Sequence, residues 1–285
     1  MNSCRMTGNT VGGERMERTL SVVLAVLAAV TIVFLAIFSL SAYAALAYRA
    51  TFAGTYEYRV SISSDTDLGN VTLYIPIPAR GAASSEILER IGSGGLEGLP
   101  LGWAISLIGT EKFTMLEVTT PGLAATPVGE PYLLSADART GSTIDTRNPE
   151  TGGLVLEPGA GLTSISCGNI DPQASPEMRC VLYRGSVYAD FTSVRDPHLT
   201  IFTFVAGRNN WDVFGPSSNE YQDGLQATYV RDIRGWRLGD GILVSGVGDY
   251  SLDFWLPGEG SPGAGPAGSS FQAAWWPLAL RGTSA

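Results

Sequence analysis

Histidine, lysine and cysteine are nearly missing from this 285-residue chain, which has one His, three Cys and a single lysine, Lys112. The one histidine, His198, opens an apolar stretch and reads as a strand-end residue rather than a catalytic base. Two cysteines in the body and one distant histidine cannot assemble a zinc site of four protein ligands. The near absence of lysine among 18 basic residues reflects an arginine-leaning genome more than function. No G-x-S-x-G, H-E-x-x-H or G-x-x-x-x-G-K-S/T pattern occurs, and no internal repeat. The stretch "GAGLTS" at 159–164 is a glycine match without a strand-to-helix context. No catalytic residue, metal or cofactor is assigned.

Positive charge is also scarce. The formal charge is −9; residues 1–50 hold four Arg and two Glu, a balance of +2, leaving −11 on the remaining 235. An acidic body repels phosphate backbones, which argues against nucleic acid as a partner. It suits a saline or cation-rich exterior, or serves solubility alone.

What the sequence does have is one long oily run. Residues 20–47 contain no charge, proline or glycine. As a helix they would extend roughly 42 Å, more than the roughly 30 Å of a hydrocarbon core. The surplus falls past Ser39, where Tyr43 and Tyr48 suit an interface. The run is longer than the apolar region of a signal peptide, although Ala42-Tyr43-Ala44 fits a small-x-small cleavage rule. An uncleaved signal anchor is expected, with membrane lipid as its partner. Arg5, Arg15 and Arg18 before the span, against Arg49 and Arg59 after it, place residues 1–19 in the cytoplasm and the rest outside the cell.

Beyond the anchor the pattern changes to period two. In "TYEYRVSI" residues Tyr56, Tyr58, Val60 and Ile62 share a face; in "GNVTLYIPIP" Val71, Leu73, Ile75 and Ile77 do so. Both read as half-buried antiparallel strands joined through "SSDTDLG". Pro76 and Pro78 remove two donors from one side, so this strand should lie at a sheet edge or be leaving the sheet. Asn70 opens the sequon Asn70-Val71-Thr72 on the outward face and is the expected glycosylation site. Asp65 and Asp67 resemble part of a calcium loop, but the glycine is one position early and no twelfth-position Glu follows, so a plain hairpin loop is expected.

Further candidate strands follow at short spacing. "WAISLI" and "KFTMLEVTT" read as a hairpin, and "MRCVLY" and "SVYADFTSV" as strands joined by a turn at Arg184-Gly185. "LTIFTFVAG", "NWDVF", "LQATYVRDI" and "GILVSG" read as separate short strands, and the one body helix lies near "SSEILERI", capped by Ser84 or Ser85. The expected fold is mainly β: an N-terminal transmembrane helix followed by an antiparallel β-sandwich ectodomain over 51–256, one large or two tandem sandwiches dividing near 140–176. Residues 257–285 read as a Gly/Pro-rich linker and a short aromatic tail holding Trp275 and Trp276.

Cys4 falls in the cytoplasmic tail and should stay reduced, whereas the spacing of Cys167 and Cys180 suits a disulfide in an oxidising exterior. The densest polar and aromatic stretch, 207–224, offers Asn209, Asn210, Trp211, Asp212, Asn219 and Tyr221 as a ligand-binding loop for sugar or protein. The bland alternative is a turn-rich connector whose Trp211 and Phe214 fill the core.

The segments "TYEYRVSI…LGNVTLYIPIP" and "GRNNWDVFG…NEYQDGLQATYV…GWRLGDGILVSGVGDY" together resemble uncharacterised archaeal single-span, membrane-anchored surface proteins with a β-rich ectodomain. That resemblance implies no activity and no site residues. The expected function is therefore a non-catalytic binding or structural role in the cell envelope, with envelope proteins or glycans as partners. Two other classes compete: a pilin-like filament subunit, and an extracellular hydrolase using two carboxylates. The charged segment Glu14-Arg15-Met16-Glu17-Arg18, between Gly13 and the apolar run, is against the filament.

Overall fold

A computed structural model describes residues 11–80, 85–110, 114–156, 160–231 and 234–250. The 257–285 linker and tail, Cys4, Ser84, Lys112 and Gly159 lie outside those residues. The described chain forms two compact units, the first reaching Ala50 and the second beginning at Thr51.

The first unit is helical. Helix α1 (Val11–Thr51) is continuous, and from Leu20 it is long and apolar enough to cross a membrane. Its large apolar side chains are exposed, Phe34 at 68% and Phe38 at 73%, which in water would be costly and in lipid is favourable. Two of its hydroxyls are satisfied within the helix: Thr31 donates to the Leu27 carbonyl at 2.8 Å and Ser41 to that of Ile37 at 2.9 Å.

The second unit is mainly β, as expected. It opens with β1 (Ala53–Ser64) and β2 (Leu68–Pro76), followed by the short helix α2 (Glu86–Gly92). Strands β3 (Ala104–Gly109), β4 (Thr114–Leu123) and β5 (Tyr132–Thr140) come next, then one helical turn, α3 (Pro149–Gly152). A short β6 (Ala160–Ile165) precedes four long strands: β7 (Arg179–Ser193), β8 (His198–Asp212), β9 (Pro216–Val230) and β10 (Gly235–Gly248). All pairings are antiparallel in one sheet of order β3-β4-β2-β7-β10-β9-β8-β1-β5, with β6 pairing β7 beside this path.

The sheet curls so that its two ends share one core. The Tyr58 hydroxyl on β1 donates to the Pro76 carbonyl on β2 at 3.1 Å, although four strands separate the two in the order. The layers of the expected sandwich are thus opposite parts of one curled sheet. Its edges approach each other through residues 93–103: Glu97 bridges Ser135 of β5, and Trp103, just before β3, packs on Tyr132 with ring centroids 5.0 Å apart. Helix α2 adds Ile87 and Ile91 to the core. Its N-cap is Ser85, whose hydroxyl accepts from Leu88 N at 3.0 Å and donates to Pro78 O at 2.9 Å.

The inward faces of β1 and β2 are those the alternation indicates: Tyr56, Tyr58, Val60 and Ile62, and Val71, Leu73, Ile75 and Ile77, are all buried. Their connector is different. β1 and β2 are not neighbours; residues 65–67 cross between opposite parts of the sheet. Asp65 Oδ1 accepts from His198 N at 2.7 Å, and Asp67 Oδ1 from Ala125 N at 2.8 Å, so both carboxylates fasten backbone.

The prolines do not place β2 at an edge. β2 lies between β4 and β7, and its pairing with β4 continues to Pro76 while that with β7 ends at Tyr74. The missing donors therefore coincide with departure from β7. Below that point the same flank of β7 is taken by β6, which pairs with residues 180–184. Cys167 and Cys180 are at disulfide distance, with Cα atoms 5.3 Å apart, and so pin the end of β6 to the start of β7.

The expected turn at Arg184-Gly185 is absent, and β7 runs through it, with Gly185 opposite Gly239. A Cβ at Gly185 would lie 2.7 Å from Leu225 Cδ2, so this glycine serves close packing rather than chain reversal. Likewise "LTIFTFVAG" and "NWDVF" merge into β8. Inward-facing Gly207 lies under the Tyr221 ring, and Gly241 under that of Tyr183.

Candidate functional site

The stretch 207–224 is a hairpin, not a loop: β8 and β9 pair from His198↔Val230 to Asp212↔Pro216, reversing over residues 213–215. A strand pair splits its side chains by parity: Asn209, Trp211, Asn219 and Tyr221 fall on the inward face, Asn210 and Asp212 on the outward one.

Asn209, Asn219 and Tyr221 point into the protein and clamp the segment 144–156, which follows β5. Asn209 Oδ1 accepts from Ile144 N at 2.9 Å, and its Nδ2 donates to Ile144 O at 2.8 Å. The Asn209 amide also donates to Asn219 Oδ1 at 2.9 Å, an atom that accepts from the Thr146 hydroxyl at 2.9 Å as well. Thr146 and Tyr250 share a hydrogen bond of 2.8 Å. Further along β9, the Tyr221 hydroxyl donates to Leu154 O and accepts from Leu154 N.

Asp223 completes the row. Its Oδ2 accepts from Leu156 N at 2.7 Å and its Oδ1 from the Tyr183 hydroxyl at 2.5 Å. Burial pushes the Asp223 carboxyl up to about 7, against the opposing pull of the Tyr183 and Leu156 bonds. Burial likewise raises the Tyr183 and Tyr221 phenols well above their ordinary range. The Tyr56 phenol, nearby, is raised by burial while its hydrogen bond from Arg80 at 3.1 Å lowers it. Asn209, Tyr221 and Asp223 each hold backbone of residues 144–156, and Asn219 and Tyr183 tie into the row through side chains. The arrangement braces residues 144–156 across the core. Parity could have revealed this: residues 219, 221 and 223 share the face of Leu225, Ala227 and Tyr229.

Asn210, Trp211 and Asp212 lie at the turn end of the hairpin. With Ser217, Ser218 and Asp249 they line a depression of about 510 Å³. The Thr51 hydroxyl secures this end, donating to Asp212 O at 3.2 Å and accepting from Asp212 N at 2.9 Å. Trp211 is buried, while Asp212 is exposed. Hydroxyl, amide and carboxylate groups around an open depression suit hydrogen bonding to a polar ligand more than covalent chemistry.

Asn70 is exposed and adopts φ 48 within a bulge, where the pairing of β2 with β7 shifts between Gly69 and Thr72. Asparagine tolerates that left-handed backbone better than most residues, which gives the position a conformational reason as well. His198 is exposed at the start of β8, as expected of a strand end. Among the described residues no group of three or more His, Cys, Asp or Glu side chains converges as a metal site would require.

No protein-family model, no curated protein and no solved structure matches the chain.

Proposed function

We propose that this is a single-pass membrane protein of the cell surface, whose β-rich body has a non-catalytic binding or structural role in the cell envelope. Residues 20–47 lie in lipid, residues 1–19 face the cytoplasm, and the body lies outside. The observation that carries this reading is an apolar, exposed helix leading into a β body with a cysteine pair at bonding distance. A disulfide persists in an oxidising exterior and not in a reducing cytosol. Three further features support it: the exposed sequon at Asn70, the acidic body, and the resemblance to archaeal surface proteins. The polar depression beside Asn210 and Asp212 is where a glycan or an envelope protein would be met.

Protease added to intact cells tests the sidedness. The β body should be trimmed while a tag placed before residue 20 survives, and Asn70→Gln should remove a mass increment from the peptide spanning residue 70. Protection of the body in intact cells, with digestion in lysates, would sink the proposal.

A further inference from the structure

The outer face of the sheet carries a transverse row that the envelope reading does not use. Ser106, Glu117, Tyr74, Tyr188 and Trp236 are register partners in turn across β3, β4, β2, β7 and β10. Period two brings all five to one side, opposite the core. The three rings touch: Tyr74 stacks on Tyr188 at 4.7 Å, and Trp236 meets Tyr188 edge-on at 5.4 Å and Tyr74 at 6.0 Å. Trp236 remains 55% exposed. An aromatic trio held rigid on a sheet and left in water is an unusual use of apolar area.

Its surroundings are negative. Glu117 is adjacent to Tyr74, and Asp190 lies one row away, opposite Thr72. Asp190 has Arg234 at 3.9 Å, but Glu117 is met by the hydroxyl of Ser106, and no described cation pairs with it. The Tyr74 phenol is held above its ordinary range first by desolvation, then by Glu117, Tyr188 and Asp190.

We propose that this row is a docking surface for a cationic segment of a partner protein. An arginine or lysine side chain lies over the Trp236 indole and the tyrosine pair, and Glu117 meets its charge. Ring faces carry negative potential and attract a cation, and a carboxylate at the end of the row fixes its orientation. The charge of −11 beyond residue 50 adds long-range attraction for a basic partner and repels acidic ones. The surface does not depend on which side of a membrane the body occupies.

The test uses the full chain in lipid nanodiscs and two fluorescent peptides, an alternating glycine–arginine octamer and its neutral citrulline counterpart. The arginine peptide should bind saturably, about tenfold more tightly than the citrulline one, and lose about tenfold with Trp236→Ala and several-fold with Glu117→Gln. Both substitutions lie on the outer face, and an unchanged near-ultraviolet circular dichroism spectrum verifies the fold. Equal affinity for the two peptides, no saturable binding, or binding indifferent to Trp236→Ala would overturn the proposal. So would a neutral oligosaccharide that binds in a Trp236-dependent way while the arginine peptide does not.

Discussion

Tyr183 on β7 donates its phenolic proton to Asp223 on β9 at 2.5 Å, inside the curled sheet and out of reach of solvent. The same carboxylate accepts from Leu156 N, so one buried acid joins two strands to the segment 144–156. Such a group has competing preferences. Two donors favour its ionised form, and burial favours its neutral one.

Burial prevails, raising the folded pKa from 3.8 to about 7. The folded state then keeps a proton that the unfolded chain releases. This contribution to stability is fully present below about pH 4 and is lost as the pH rises through 7. Urea denaturation midpoints across that range should fall with rising pH. In Asp223→Asn, which keeps an acceptor for Leu156, this slope should flatten. Asp223→Ala should cost about 3 kcal/mol at acidic pH, where the native acid is neutral, because two buried donors lose their partner, and the cost should shrink as the pH rises.

Thr203 presents the opposite case. It is fully buried on β8, and its hydroxyl has no hydrogen-bond partner among the described residues. Replacing it with the near-isosteric valine removes an unsatisfied polar atom and leaves the packing intact. Thr203→Val should be stabilising by about 1 kcal/mol, read as a rise in the denaturation midpoint at constant slope.

The glycines of the strands differ sharply in what they permit. A Cβ at Gly241 would collide with the Tyr183 ring, whereas at Gly109 it would meet nothing within 4 Å. Gly241→Ala should cost about 2–3 kcal/mol, and Gly109→Ala should stay within about 0.5 kcal/mol of the parent. Thermal unfolding of the two variants side by side is the measurement.

The link between Cys167 and Cys180 closes a loop of 13 residues in sequence separation. The double change Cys167→Ser and Cys180→Ser should cost about 3 kcal/mol through the freedom it returns to the unfolded chain. Mass spectrometry without reductant should recover the two cysteine peptides joined. Free thiols at both positions in protein shielded from reduction would contradict the pairing.

Much of the fold was legible because burial in β-strands has period two. The inward faces of β1 and β2, the β3–β4 hairpin, the cap at Ser85 and the oily run of α1 all follow from local pattern. Strand length was not. Gly185, Gly207 and Gly241 look like interruptions to a local reading, yet each makes room for a bulky side chain on another strand: Leu225, Tyr221 and Tyr183 in turn. The candidate site was only half legible for the same kind of reason. Asn209, Asn219 and Tyr221 suggest a wet surface until the segment 144–156 is laid across them, and that contact spans more than sixty residues.

The shared flank of β7 has a practical outcome for anyone wishing to divide this protein. Along one side this strand borders β2 and then β6, whose sequences lie far apart. A cut anywhere between them strips half of its hydrogen-bonding border, exposing raw backbone ready to recruit a stranger. Fragments beginning within residues 77–159, which keep β7 and lose β2, should therefore clump rather than behave as modules, and expression trials are best designed around the intact body.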